Sequence, residues 1–262
     1  MSIFGVAWRQ ASCDHVTDYI TYMLDTTSFS AATIRSRISA IAYFYKIKLN
    51  KNIADNFASE ALLKNLDKSI GRRRKLLPIN KCVLDKLLRV VYCYERRYLS
   101  HAFYVMYYLL YYLALRISEV LHYSTKFNHA LRREDIKLSN KLLTVTVRSG
   151  KHNVQPMNYE INCTHRLYWH LTQFLKNRGS GKGPLFCFQD GKVITRSFFT
   201  GRLKEDITAL GLDAQDYNSH SFRIGRTSDL AVEGASDRQI ALIGRWRSDA
   251  FRDYIRPTLV SL

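Results

Sequence analysis

Residues 219–257, SHSFRIGRTSDLAVEGASDRQIALIGRWRSDAFRDYIRP, hold two helical segments and a short polar tail. The first segment opens near Ser219 and runs to about Glu233, where Gly234 ends it. His220 and Arg223 stand three apart near its start, where unpaired backbone N–H groups already favour an anion. An imidazole and a guanidinium add a proton-transfer group and a clamp, although an HxxR pair by itself is weak evidence. Ser236 and Gln239 form a capping box for the second segment. Gly244 is expected to stop that helix, and Ser248 or Asp249 to cap a short final one limited by Pro257. Trp246 lies between these two helices and Tyr254 on the last. With 17 tyrosines in the chain, the default for any one is core packing. Tyr254, however, stands among arginines on an otherwise polar segment.

Working towards the N-terminus, Leu113-Ala-Leu-Arg116-Ile-Ser-Glu119-Val-Leu121 closes an apolar segment expected to form one long, largely buried helix over 102–121. Residues i and i+3 share a helical face, so Arg116 and Glu119 pair. On a surface such a pair contributes little. This arginine, however, follows fourteen uncharged residues, 102–115, and a carboxylate that fixes its fork suits it to a bidentate grip on phosphate. Further on, Leu143, Val145 and Val147 alternate with Thr144, Thr146 and Arg148, a strand pattern. Residues 149–153 read as a turn and 154–161 as a returning strand, with Pro156 suiting a sheet edge. Lys151 sits at that turn. A turn lysine is usually just solvated, and this one matters only with a phosphate in reach. Helical pattern resumes over 165–177. The glycine-rich loop 179–183 lacks the GxxxxGK[ST] spacing of a P-loop.

The first part of the chain is helical throughout. Val16, Tyr19, Ile20, Met23 and Leu24 recur at helical spacing, Ser30 can cap a second helix striped by Ile34, Ile38, Ile41 and Phe44-Tyr45, and a third includes 57–66. Arg35 and Arg37 give this bundle a basic face. Gly71-Arg72-Arg73-Arg74-Lys75, followed by Pro78, marks a basic linker over 71–79. In so basic a chain it suits the tracking of phosphates.

Composition narrows the classes. Hydrophobic residues are 47% and charged residues 24%, a globular balance. The net charge of +18, from 40 Lys+Arg against 22 Asp+Glu, calls for a polyanionic partner. The excess is concentrated: residues 51–200 hold 26 Lys+Arg and 10 Asp+Glu, while 201–262 hold nine of each. The balanced background of the C-terminal arginines therefore points to specific roles for some of them rather than a general field. The run 102–115 falls short of the roughly 20 residues that span a bilayer, so no membrane partner is expected. No signal-peptide pattern opens the chain, which points to the nucleus or the cytoplasm. The five cysteines are odd in number and without CxxC spacing, and the eight histidines form no HxxxH pair. Reduced thiols and no metal site are expected.

Arg116, Lys151, His220, Arg223, Trp246 and Tyr254, in this order and with a strand hairpin around the lysine, resemble the catalytic domain of tyrosine recombinases, the phage-integrase and Cre-like superfamily. The resemblance covers about residues 76–262. The segment 220–257 looks closest to recombinases of DIRS- and Ngaro-type retrotransposons.

The resemblance implies a mainly α fold with a small antiparallel β-sheet. A helical core-binding domain (1–70), the linker (71–79) and a catalytic domain (80–262) would make a clamp around double-stranded DNA. Arg35, Arg37, Arg72, Arg73, Arg74 and Lys75 would contact its backbone. Tyr254 would be the nucleophile, forming a 3′-phosphotyrosine and freeing a 5′-hydroxyl. Arg116 and Arg223 would hold the non-bridging oxygens. Lys151, preferred to Lys141 and Arg148 because it follows the strand at the turn, would protonate the leaving oxygen. His220 would serve Tyr254 as acid/base, Trp246 would pack or donate its indole N–H, and Glu119 would orient the site. No metal, ATP or other cofactor is implied, and the working form would be a homo-oligomer on two DNA sites, a tetramer. Only eight residues follow Tyr254, fewer than many members carry there. A type IB topoisomerase, usually with lysine at the position of His220, and a DNA-binding regulator without catalysis are the rivals. An RNA-binding helical protein lacks any RRM or KH signature.

Overall fold

The computed structural model describes residues 7–70, 75–121, 129–148 and 155–256. The chain divides into two compact units, 1–74 and 75–262. Among the described residues no helix is long and apolar enough to cross a membrane.

The first unit is a bundle of α1 (Cys13–Thr26), α2 (Ala31–Leu49) and α3 (Phe57–Ile70). Its core of Val16, Ile20, Met23, Ile34, Ile38 and Leu66 follows the apolar stripes of the sequence. Ser30 caps α2 by accepting from the Thr33 N–H at 3.2 Å. Arg35, half-buried, and Arg37, exposed, also bond within this bundle. Arg35 donates to Asp67 Oδ2 and to the Leu63 carbonyl, both at 2.9 Å, and Arg37 donates to the Tyr19 hydroxyl at 3.3 Å.

The second unit is mostly helical with one small sheet. Lys75 is exposed. From Leu77 on, the stretch expected as linker is packed: Leu77 N–H donates to Asp216 O and Ile79 N–H to Ser221 O, both at 2.9 Å. Arg72, Arg73 and Arg74 lie outside the described residues. Asn80 caps α4 (Lys81–Tyr92). Next comes α5 (Arg97–Tyr112), buried on every side from Ser100 to Tyr111. Its tyrosines are amphipathic core residues: the Tyr107 hydroxyl donates to Asp206 at 2.7 Å and the Tyr111 hydroxyl to Asp229.

The long helix expected over 102–121 does not continue. It stops at Tyr112, Ala114 turns to φ 43°, and a four-residue helix α6 (Ile117–Val120) follows. An alanine in the left-handed region costs about 1–2 kcal/mol. Two guanidinium groups from far along the chain, Arg223 and Arg245, bond its carbonyl and offset that cost.

The sheet has three antiparallel strands in the order β1 (Ile136–Ser139), β2 (Leu142–Val147), β3 (Met157–Asn162). Val145 faces Ile136 on one side and Tyr159 on the other. Leu143, Val145 and Val147 are buried, as their alternation requires. β1 is absent from the sequence reading because its four residues, though they alternate, are too short a stretch after a run of charges to stand out. Its turn, Asn140-Lys141, has φ 48° and 63°, the left-handed pair of a two-residue hairpin. Pro156 precedes β3 instead of lying on it. Then follow α7 (His165–Arg178), α8 (Arg196–Ala209), α9 (Ser219–Val232), α10 (Asp237–Gly244) and a 3-10 segment, Asp249–Tyr254.

Candidate active site

α9 places two of the expected residues. Asn218 caps it, accepting from the His220 N–H at 2.7 Å, while Ser221 Oγ accepts from the Asn218 N–H at 3.1 Å. One turn in, Arg223 is completely buried. Its Nη1 donates to Ala114 O at 2.5 Å and its Nη2 to Gly244 O at 2.6 Å. Its Nε–H is buried without a partner among the described residues. Arg223 therefore staples the end of α5 to the end of α10 from the middle of the site.

Gly244 is the last residue of α10, but the left-handed residue beyond it is Arg245, at φ 58°. The glycine serves a different purpose from the expected stop. A Cβ there would lie 1.5 Å from the Trp246 ring. Its absence lets the indole fold back, 3.8 Å over the Arg223 guanidinium and 5.1 Å from the Tyr254 ring. Tyr254 ends a 3-10 segment in place of an α-helix, and Ser248 stands before it without a side-chain capping bond.

The tyrosine segment is tied down by Ser228, which is buried on α9. Its hydroxyl donates to Tyr254 O at 3.1 Å and accepts from the Arg256 N–H at 2.9 Å. Arg256 Nη1 in turn donates to Leu76 O at 2.7 Å. So held, the Tyr254 hydroxyl lies 3.0 Å from His220 Nε2, and its ring 5.5 Å from the Arg223 guanidinium carbon.

Arg116 and Glu119 meet at the start of α6. Glu119 Oε2 accepts from the Arg116 N–H at 2.7 Å, and Oε1 lies 3.5 Å from Arg116 Nη1. The Arg116 side chain is 45% exposed and that of Glu119 only 7%. The pair is thus a helix cap, not two neighbours along one continuous helix.

The electrostatics follow from crowding. Burial first, then the charges of Arg223, Arg116 and Arg196, hold His220 below its usual 6.5. Its imidazole is therefore neutral at pH 7 and able to accept the Tyr254 proton. Arg223 is lowered to about 9 by burial and then by Arg116 and Arg245, opposed by Glu119 and Tyr254. It keeps its charge at neutral pH. Lys151 lies outside the described residues. Of the other cations by the hairpin, Arg148 is occupied by Asp135, at 2.8–3.0 Å through Nε and Nη2, and Lys141 belongs to the β1–β2 turn.

Residues 84–256 match the Phage integrase family. That span covers most of the chain and runs from α4 through the tyrosine segment.

The chain belongs to the phage integrase family.

Among relatives, this integrase-family chain is 24% identical over 253 residues to Tyrosine recombinase XerD of Bradyrhizobium diazoefficiens, covering 89% of this chain and 74% of that protein. The fold is also shared with solved structures. The Tn1549 transposon integrase in complex with circular intermediate DNA aligns at a TM-score of 0.68 and 15% identity, over 98% of this chain and 84% of that one. The XerH site-specific recombinase bound to difH, a pre-cleavage complex, aligns at 0.66 and 16%, over 97% and 70%.

Sequence reasoning missed Arg245, Ser228, Arg196 and Arg256. Arg245 Nη2 donates to Glu119 at 2.9 Å and its side chain is only 9% exposed. It adjoins Trp246 in a segment the sequence had marked, but nothing local distinguishes its direction from that of Arg247. Arg196 opens α8, an element with almost no apolar periodicity to announce it.

Proposed function

We propose that this integrase-family chain cleaves and rejoins double-stranded DNA at specific sites through a covalent 3′-phosphotyrosine. The observation that carries the reading is the Tyr254 hydroxyl 3.0 Å from His220 Nε2, beside the buried Arg223. The phenol oxygen attacks the scissile phosphorus, His220 takes its proton, and the bond to the 5′-oxygen breaks. Lys151 delivers a proton to that oxygen. Arg116, exposed, and Arg223, whose Nε–H lacks a partner among the described residues, neutralise the pentavalent phosphorane. Trp246 packs between Arg223 and Tyr254, and Glu119 orients Arg116. The phosphodiester energy stays in the enzyme linkage, so rejoining is the same step reversed, with a 5′-hydroxyl as nucleophile.

On this reading the enzyme assembles as a tetramer on two DNA sites and serves the integration of a mobile element. The likeness of the tail to DIRS- and Ngaro-type recombinases favours a eukaryotic element and a nuclear site of action. Arg35, Arg37, Arg72, Arg73, Arg74 and Lys75 carry backbone contacts.

The test uses a pool of nicked duplexes with a randomised core, sequencing those captured covalently. The protein is expected to form detergent-stable adducts that map by mass spectrometry to Tyr254. Tyr254→Phe is expected to bind the captured duplexes and form none. Adducts at another residue, or an undiminished yield from Tyr254→Phe, overturn the assignment. Relaxation of supercoiled plasmid without joining of two sites favours the topoisomerase reading, and binding without adducts favours the regulator.

A further inference from the structure

We propose that Arg245 is a positioning residue for strand cleavage: it neutralises the Glu119 carboxylate so that the Arg116 fork stays available to the DNA phosphate. The inference rests on the cleavage reading given above. Glu119 is buried, and a buried carboxylate needs a paired charge. Two guanidinium groups stand next to it. Arg116 Nη1 is 3.5 Å away on a half-exposed side chain, whereas Arg245 Nη2 is 2.9 Å away and enclosed. The tighter, drier pair is the one with Arg245.

The rest of Arg245 is held just as firmly. Its Nη1 lies 3.1 Å from Leu113 O, 3.0 Å from Ile243 O and 3.2 Å from the Tyr159 hydroxyl. The last contact ties β3 to the turn that presents Arg116. With the carboxylate neutralised by Arg245, the Arg116 side chain keeps one long contact to it, at 3.5 Å, and stays half-exposed. Without Arg245, Arg116 is the nearest remaining cation to a buried negative charge, and its fork is drawn onto Glu119 and away from the phosphate.

This competition makes a prediction that mere packing does not. Glu119→Gln keeps an amide oxygen for the Arg116 N–H but removes the charge that draws the fork, so it rescues the loss of Arg245. Single-turnover adduct formation is measured on a captured nicked duplex, alongside equilibrium binding of the same duplex. Arg245→Met is expected to slow adduct formation about 100-fold through misplacement of Arg116, with binding unchanged. Adding Glu119→Gln is expected to recover at least about tenfold of that loss, and Arg245→Lys, which keeps the charge but not the guanidinium fork, to be at least about tenfold faster than Arg245→Met. The comparison is repeated with Arg245→Gln, which keeps an N–H donor for the carbonyls and guards against simple unfolding. A double variant no faster than Arg245→Met alone, or Arg245→Lys as slow as Arg245→Met, overturns the proposal. Unslowed single variants from a protein that does form Tyr254 adducts overturn it alone. A wild-type protein that forms no adduct overturns it together with the cleavage reading.

Discussion

At the scale of single residues, the site divides cations by exposure. Arg116 is open to a ligand, while Arg223 and Arg245 are sunk among carbonyls. Arg116→Ala is therefore the cleaner probe of phosphate binding, since it leaves no buried carbonyl unpaired. Its expected effect is a loss of about 3 kcal/mol in transition-state stabilisation, read as a hundredfold or greater fall in single-turnover adduct rate. A rate within a few-fold of wild type would remove it from the reaction. His220 carries a second expectation. Burial and three arginines lower its pKa, so an NMR titration of the DNA-free protein should give a midpoint below 6.5. A duplex phosphate brought beside it stabilises the imidazolium and should move that midpoint upward; no movement would place the phosphate elsewhere. These residue types were legible in the sequence. Their directions were not, because a guanidinium on a flexible stem takes its orientation from acceptors the chain delivers from elsewhere.

At the scale of elements, close approach sets the terms. A Cβ at Gly225 of α9 would lie 1.8 Å from Ile79 O, so the chain entering the second unit runs directly across that helix. The contact is backbone against backbone, and no side chain can give way. Gly225→Ala is expected to destabilise the second unit by about 3 kcal/mol, seen as a lower denaturation midpoint at unchanged slope. An unchanged midpoint would mean that segment is not seated as described. The elements that sequence reading recovered, α1 to α3, α7, α9 and α10, have strong apolar period or an evident capping residue. β1 is only four residues long, α8 has a Thr195 cap but almost no apolar period, and the break at Ala114 follows an uninterrupted apolar run with no glycine or proline to announce it.

At the scale of the whole second unit, the packing of α5 on α7 includes two buried histidines whose Nδ1 atoms are 3.1 Å apart. Tyr104 stacks on His170 at 3.7 Å between ring centres. Burial, then the charges of His101 and Arg166, lowers His170 to about 4, and His101 is lowered as well. A base with a depressed folded pKa is protonated more readily in the unfolded chain. The stability it contributes is therefore complete above about pH 6.5 and is lost as the pH falls towards 4, by roughly 2–3 kcal/mol. Urea denaturation at pH 7 and pH 4.5 measures the loss, which should shrink in His170→Phe; equal pH dependence in both proteins would assign it to other groups. The same unit shows where sequence stops being sufficient. The sequence by itself determined the helix-rich class, the central strand, the basic character and the ordered set of candidate site residues, because periodicity, capping and charge are properties of neighbouring residues. Only the tertiary structure decided which of those side chains meet. Arg223 and Arg245 reach one carbonyl at Ala114 from more than a hundred residues away, and those distant guanidinium groups help to hold the left-handed alanine of that turn.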